Sequence, residues 1–196
     1  MLPDRVSSHP VLLRTFTPAD APQVQALAAD AEVAEPTASI PHPYPRGAAA
    51  AWIASHEADR ERGAQYHYAI ATADGATLVG AIALRPVADA HGNVGYWIGR
   101  PYWGHGYATA ATMAITALAF GYLDCETLSA WYLERNPASG RVLAKCGFTP
   151  LSTARREHRG RIEVVCLLGI TRDAWELCIG GAPGAGLPED ASGDRS

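Results

Sequence analysis

VGYWIGRPYWGHGYATAA, residues 94–111, runs from a strand-like segment through a glycine-containing loop into an alanine-rich helix. Gly104 and Gly106 carry no Cβ and reach positive φ without strain, so successive backbone N–H groups of the loop can point toward one centre. A helix predicted over 106–122 adds unpaired first-turn N–H groups and the positive end of its dipole at the same place. The pattern indicates an anion site for a phosphorylated cofactor or substrate. Glycines at this spacing also make ordinary turns, and the loop by itself leaves that alternative open.

Strand patterns on both sides of this segment indicate a mixed sheet. The chain returns after the helix as a strand, and a strand, a long helix and a strand predict a parallel pair. Upstream, Asp74 and Gly75 form a turn signal between two strands, which predicts an antiparallel hairpin. About seven segments are predicted as strands: 11–16, 66–72, 78–87, 94–98, 127–133, 148–153 and 161–170.

Helix signals lie between these strands. Helices are predicted after Thr17, over 46–62, over 106–122 and after Asn136, where Pro137 suits a first turn. The expected fold class is therefore a mixed α+β domain with a central, mostly antiparallel sheet and about four flanking helices. A chain of 196 residues rarely divides into two domains, so we expect a single domain over 1–179. Residues 180–196 are rich in Gly, Pro and Ser, and we expect a disordered tail there.

The composition limits the class of function. The formal net charge of −4 argues against a nucleic-acid or anionic-membrane surface, which needs an excess of Lys and Arg. No apolar run approaches the ~20 residues of a membrane span, and the N-terminus lacks a signal-peptide pattern, so we expect a cytoplasmic protein. The cysteines show no CxxC pairing, which favours buried free thiols over a bound metal; they are Cys125, Cys146, Cys166 and Cys178.

A second motif, ERNPASGRVLAKCGF at 134–148, follows the glycine loop after one helix and one strand. The two motifs in this order resemble the GNAT superfamily of acetyl-CoA-dependent N-acetyltransferases, and within it the RimJ/RimL-like branch. The resemblance covers nearly all of residues 11–170, including LLRTFTPAD, IPHPYP and LVGAIAL. It implies a GNAT-like fold with the parallel strand pair at the cofactor cleft, and acetyl-CoA as co-substrate.

The resemblance also implies which residues bind the cofactor. The strand Tyr96, Trp97 and Ile98 would pair with the pantetheine arm as an added strand pairs with a sheet edge. Asn136 would bond the pantetheine, and Ser139 would lie near the thioester sulfur. The pyrophosphate loop would comprise Gly104, His105, Gly106, Tyr107, Ala108 and Thr109. Arg141 and Lys145 either reach a cofactor phosphate or are solvated charges of a helix.

Two positions depart from the family pattern on the cofactor side. Pro101 stands where the loop often carries Gln or Arg, so phosphate binding would depend on backbone amides. Leu143 stands where many members carry a tyrosine acid, so the resemblance assigns the acid role to Ser139. The N–H of Ile98 is the expected donor to the oxyanion that forms when an amine attacks the thioester.

The sequence leaves several candidates for the base that would keep the amine neutral. The RimJ/RimL-like branch often places a glutamate two residues before the strand glycine, where this chain has Asn93, which cannot take a proton. Glu134 is the carboxylate candidate, unless it is an exposed strand-end charge. His105 has a suitable ordinary pKa, although its amide alone would serve the loop. A chain of water molecules would need neither residue.

The acceptor is expected to be a primary amine, either a protein N-terminus, as the branch resemblance favours, or a small molecule. Candidate acceptor-site residues are His42, Tyr44 and His67, with Tyr44 also suited to packing the proline loop. An acidic pocket would favour a polyamine, amino acid or aminoglycoside; Asp30, Glu32 and Glu35 leave that open. A non-catalytic acyl-CoA-binding module remains the alternative from another class, and a homodimer is allowed for.

Overall fold

A single eight-stranded sheet organises the computed structural model, which describes residues 2–180. The strands lie in the order β1-β2-β3-β4-β5-β6-β8-β7, and every neighbouring pair is antiparallel except β5 and β6. The strands are β1 (Arg5–Ser8), β2 (Val11–Arg14), β3 (Tyr66–Thr72), β4 (Leu78–Val87), β5 (His91–Ile98), β6 (Thr127–Leu133), β7 (Thr149–His158) and β8 (Arg161–Thr171). The predicted antiparallel hairpin and parallel crossover are both confirmed.

Helices cover the two faces of the sheet unequally. The helices are α1 (Ala21–Ala28), α2 (Ala31–Ala34), α3 (Ala48–Glu61), α4 (Tyr107–Tyr122), α5 (Pro137–Lys145) and α6 (Arg172–Gly180). The long helix α4 buries Ala111, Ile115 and Leu118 completely against the main core. Its alanines let its axis approach the sheet closely. On the other face α1 and α3 pack over Ala69 and Leu78 in a smaller core, which leaves one end of that face open.

The parallel pair β5 and β6 is paired over only part of its length. The register joins His91 to Thr127, Gly92 to Leu128 and Asn93 to Ser129, and no pair follows along the described strands. β5 nevertheless continues to Ile98, still paired with β4, and β6 continues to Leu133, still paired with β8. Beyond Asn93 the two strands therefore separate and leave a V-shaped gap in the sheet. Along this gap β5 stays paired with β4, and β6 stays paired with β8.

The sheet differs from the sequence prediction by one strand. The eighth strand, β1, is RVSS, which has too few apolar residues to be recognised; only its Val6 is buried, beneath α4. Pairing with β2 holds this segment, and that contact is invisible to local pattern.

The number of helices was underestimated too. The structure describes six α-helices where about four were expected. The segment α2 has only four residues, and neither α2 nor α6 is among the predicted helices. The predicted tail, residues 180–196, lies beyond the described residues except for Gly180, which ends α6. Within residues 2–180, no helix has the length and apolarity needed to cross a membrane.

Candidate functional site

The glycine loop between β5 and α4 has the conformation that its sequence predicts. Gly104 and Gly106 have φ of +81° and +80°, and Gly106 is the N-cap of α4. The first helical bond in this region runs from Ala110 N to Gly106 O, at 3.0 Å. Among the described residues, no acceptor pairs with the backbone N–H groups of 104–109. The loop is thus a row of free donors at the positive end of a helix, which suits a phosphate group.

An indole ring fixes the start of this loop to the strand before it. Trp103 Nε1 donates to the carbonyl of Ile98 at 2.7 Å, so the loop turns back over the end of β5. The N–H of Gly99 bonds to Val79 O on the β4 side at 2.8 Å. Since backbone groups of a strand point alternately to its two sides, the N–H groups of Ile98 and Tyr96 point away from β4 into the gap. This edge is open to an added strand.

Helix α5 brings a hydroxyl pair to the opposite wall of the gap. Asn136 is its N-cap, and Pro137 occupies its first turn, as predicted. The Ser139 Oγ lies 2.9 Å from the Tyr96 hydroxyl, so the two form a hydrogen bond that links α5 to β5. Burial raises the pKa of Tyr96 to about 12, which keeps the phenol protonated at neutral pH. Leu143 is buried in the main core and also lines the cavity, where its aliphatic side chain has no proton to donate.

The gap opens into a cavity of about 1170 Å³. The predicted cofactor residues that line it are Tyr96, Trp97, Ile98, Gly104, Gly106, Tyr107, Ala108, Thr109, Asn136 and Ser139. Arg141 and Lys145 line it at α5, so its cofactor end carries positive charge. Glu32, Glu35 and Asp59 line it farther away, on α2 and α3 or beside them, together with Arg85 and Arg135. The cavity is therefore cationic at one end and of mixed charge at the other.

The end of mixed charge, which we call the acceptor end, lies on the sheet face that α3 covers only in part. His67, Ala83 and Gly95 pair across β3, β4 and β5, so they share one face and form the floor. A Cβ added at Gly95 would contact nothing within 4 Å, so this floor is open above the strand. Tyr44, from the proline loop, lines the same end.

An aromatic cluster supports one wall of the acceptor end. His67 stacks on His56 at a ring distance of 4.1 Å, and Trp52 meets both rings edge-on. Burial, helped by the neighbouring His67, lowers the pKa of His56 to about 3, and burial lowers the pKa of His67 as well. Both imidazoles are therefore neutral at neutral pH, and His67 presents an uncharged ring to the cavity.

The tip of the β7–β8 hairpin holds the loop that closes the acceptor end. His158 Nε2 donates to the carbonyl of Glu35 at 2.7 Å. Arg159, which has φ of +52°, donates to the carbonyls of Ala34, at 2.9 Å, and of Ile40. We call residues 34–41 the acceptor loop; all of them except Ala34 line the cavity. Contacts over more than a hundred residues of sequence separation therefore shape this wall.

Three predicted site residues lie outside the cavity lining. Glu134 is exposed at the end of β6, and His42 is exposed in the proline loop. His105 is also exposed; its Nδ1 donates to Trp103 O at 2.9 Å, and its ring stacks on Tyr107. Glu134 therefore has no direct contact with the space where an amine would react, because the chain turns outward after Leu133. His105 offers the site its backbone amide.

Sequence reasoning missed a polar network at the point where the strands part. Asn93 lines the cavity, and its Nδ2 donates to the carbonyl and the hydroxyl of Ser129 at 3.3 and 3.2 Å. His91 continues the network, with Nε2 at 2.9 Å from Ser129 Oγ and Nδ1 at 2.8 Å from Thr127 Oγ1. The two-residue spacing of His91 and Asn93 places both on one strand face, and this was the available signal.

Comparison with known proteins places this geometry in a family. A family profile described as "Acetyltransferase (GNAT) domain" matches residues 11–149. The probable N-acetyltransferase YjcK of Bacillus subtilis is 30% identical over 107 residues. That match covers 53% of this chain and 59% of YjcK, so the chain spans less than two thirds of that relative's length.

Solved structures share the fold at low sequence identity. The ribosomal L7/L12 α-N-protein acetyltransferase RimL, solved with coenzyme A, superposes with a TM-score of 0.77 at 15% identity, over 87% of this chain and 99% of that one. RimJ of Mycobacterium smegmatis, solved with a CoA disulfide, superposes with a TM-score of 0.75 at 23% identity, over 91% and 93%. Groups of three or more His, Cys, Asp or Glu side chains suited to a metal are absent from residues 2–180.

Proposed function

The chain belongs to the GNAT acetyltransferase family, and from this premise we propose that it transfers the acetyl group of acetyl-CoA to the N-terminal α-amine of a protein. The observation that carries the proposal is one continuous cavity. Its cationic end offers free N–H donors at a helix N-terminus, and its acceptor end is open and carries both carboxylates and arginines. The gap between β5 and β6 joins the two ends.

The residues of the cationic end fit the three chemical parts of coenzyme A. The N–H groups of 104–109 suit the pyrophosphate, and Arg141 and Lys145 on α5 suit a further phosphate. The free edge of β5 at Tyr96 and Ile98 suits the amides of the pantetheine arm, which would extend the sheet. Asn136, at the start of α5, faces that arm from the other side of the gap.

Acetyl-CoA supplies a thioester carbon that bonds to the amine nitrogen as the C–S bond breaks, with the electron pair leaving on sulfur and one amine proton passing to solvent. The chain aligns the two reactants in one cavity, which removes much of the entropic barrier. A backbone N–H of β5 that points into the gap, that of Ile98 or that of Tyr96, serves as donor to the developing oxyanion. Ser139, itself bonded to the protonated Tyr96, serves as proton donor to the departing sulfur.

An N-terminal amine is favoured because the acceptor end is open rather than enclosed. Its floor is shallow at Ala83 and Gly95, and its walls are the acceptor loop and α3. Such a groove admits one end of an extended chain. The similarity of fold to RimL and RimJ points the same way.

A small cationic amine is the second candidate, and the carboxylates of the acceptor end favour it. Glu32, Glu35 and Asp59 all line the cavity. All three already have partners: Glu32 pairs with Arg100 at 3.6 Å, Glu35 with Arg135 at 3.1 Å, and Asp59 with Arg62 at 2.8 Å. That pairing reduces the negative charge available to a polyamine, so we rank this candidate second.

The test is acetyl transfer measured with a panel of acceptors. Purified protein and acetyl-CoA are incubated with heptapeptides that begin with Ser, Ala, Gly or Met, with spermidine, with free amino acids and with an aminoglycoside. Release of the CoA thiol and the mass gain of one acetyl group are followed together. Peptides blocked at the N-terminus are the matched control. Preference for free peptides supports the proposal, preference for spermidine supports the second candidate, and CoA binding without turnover on any amine would identify a binding module.

A further inference from the structure

Asn93 lies at the last paired position before β5 and β6 separate, on the face that carries the acceptor end. Its backbone pairs with Arg85 on β4 and with Ser129 on β6, and its side chain lines the cavity two residues before the open floor at Gly95. It is half-buried, while Ser129 is buried. A polar side chain is thus built in at the bottom of the gap, where the two ends of the cavity meet.

The orientation of the Asn93 amide is fixed by its partners. The group that lies 3.3 Å from the Ser129 carbonyl must be the NH₂, because a carbonyl oxygen only accepts. Ser129 Oγ accepts from the same NH₂ at 3.2 Å and so donates its own proton to His91 Nε2, at 2.9 Å. His91 then carries its proton on Nδ1 and donates to Thr127 Oγ1, at 2.8 Å. The Asn93 NH₂, the Ser129 hydroxyl and the His91 Nδ1–H thus each donate within the network.

This network uses the NH₂ of Asn93 and leaves its Oδ1 without a partner among the described residues. Among the described residues, no donor reaches that oxygen, and a planar amide directs it away from the NH₂ that faces Ser129. The oxygen is therefore a hydrogen-bond acceptor of fixed direction in the wall of the cavity.

We propose that Asn93 Oδ1 accepts an N–H of the attacking amine and so orients its lone pair toward a thioester whose carbonyl bonds the N–H of Tyr96. That N–H points into the gap three residues along β5, about 10 Å from Asn93, whereas Ile98 lies about 16 Å away. The inference rests on the proposed function and adds to it the residue that holds the nucleophile. A neutral amine keeps two N–H donors beside its lone pair, and the amide oxygen binds one of them without stabilising the ammonium ion as a carboxylate would. Ser129 is the positioning residue for this amide, and His91 acts through Ser129.

Steady-state kinetics of three variants test the inference, with the best acceptor of the panel as substrate. Asn93→Ala should raise the KM for the amine about 5- to 10-fold, the loss expected for one hydrogen bond, and leave the KM for acetyl-CoA within about two-fold. Ser129→Ala should raise the KM for the amine less, because the Ser129 carbonyl still holds the Asn93 amide. Thr127→Ala is the matched control: it removes the far end of the network and should leave both KM values unchanged.

A binding measurement separates orientation from catalysis. With CoA present, Asn93→Ala should weaken binding of the unreacted acceptor about 5-fold or more and should leave unchanged the binding of a des-amino analogue, in which hydrogen replaces the amine and no N–H is available. An unchanged amine KM in Asn93→Ala, with an active wild type, overturns this inference alone. Equal weakening of the acceptor and of its des-amino analogue, or an effect of Thr127→Ala as large as that of Ser129→Ala, also overturns it. A wild type that acetylates no amine overturns the proposed function and this inference with it.

Discussion

Replacing Gly106 with alanine tests the anion cradle by its backbone alone. Gly106 has φ of +80° and ψ of −3°, and an added Cβ would contact nothing within 4 Å. The change therefore introduces no clash and only the cost of a left-handed conformation, about 1–2 kcal/mol for a residue with a Cβ. Trp103 holds the start of the loop and Ala110 N bonds the Gly106 carbonyl, but the N–H groups of 104–109 have no acceptor among the described residues, so the segment between these two contacts is free to relax before a ligand binds.

That cost should therefore appear in ligand affinity. The free loop relaxes away from the strained conformation, and binding has to restore it. Gly106→Ala should raise the Kd for acetyl-CoA about 5- to 30-fold, the ratio that corresponds to about 1–2 kcal/mol. Isothermal titration calorimetry with CoA and with acetyl-CoA measures it directly.

Gly47 is a matched control for this substitution. It is the N-cap of α3 with φ of +81° and ψ of −5°, and a Cβ there would also contact nothing within 4 Å. The Gly47 carbonyl accepts from Ala51 N, as that of Gly106 does from Ala110 N. The Gly47 turn is also closed by Ala48 N and Gln25 Nε2, which both donate to the Pro45 carbonyl, so it is held in the folded protein without a ligand. Gly47→Ala should lower the thermal midpoint and leave the CoA affinity unchanged. A Kd for Gly106→Ala within about two-fold of the wild type would refute the backbone account of the cradle.

Three further changes follow from contacts in and around the cavity. Arg159→Ala removes the donor to the carbonyls of the acceptor loop and should raise the amine KM about 3- to 10-fold with the acetyl-CoA KM unchanged. Tyr96→Phe and Ser139→Ala each break the same hydrogen bond, so their effects on kcat should be less than additive in the double variant. His56 has a folded pKa of about 3, so between about pH 7 and pH 4 the unfolded state binds a proton that the folded state excludes, and stability falls as the pH falls.

Each of these has a measurement that can contradict it. An Arg159→Ala variant with higher KM for both substrates would mean that the hairpin supports the whole cavity rather than the acceptor loop. Additive losses in kcat would mean that Tyr96 and Ser139 act separately. For the histidine, urea midpoints are compared over the same pH interval in the wild type and in His56→Phe; an equal slope in both would assign the acid sensitivity to other groups.

The cofactor half of the site was predictable because its determinants are local. Positive φ at Gly104 and Gly106 and the helix that follows lie within a few residues of one another, and their backbone geometry depends on residue type. The start of α5 at Pro137 was predictable for the same reason. By contrast, β1 was missed because Val6 is its only buried side chain and its pairing with β2 supplies the rest.

The acceptor half depends on contacts between segments that are distant in sequence. Glu134 sits two residues from Asn136, yet it is exposed, while Asn93 and Ser129 meet only because β5 pairs with β6 for three residues and then separates. The hairpin tip reaches the acceptor loop across a separation of 125 residues, from Arg159 to Ala34. The spacing of residues within a short segment of sequence gives no information about these long-range contacts.

By itself, the sequence determined that this chain carries a strand, a glycine loop and a helix N-terminus whose geometry suits an anion, because glycine φ and unpaired helix amides are properties of a short segment. Tertiary structure alone decided the shape of the acceptor end. The direction of the Asn93 amide and the position of the acceptor loop are set by hydrogen bonds from other strands, and those bonds exist only once the sheet has formed.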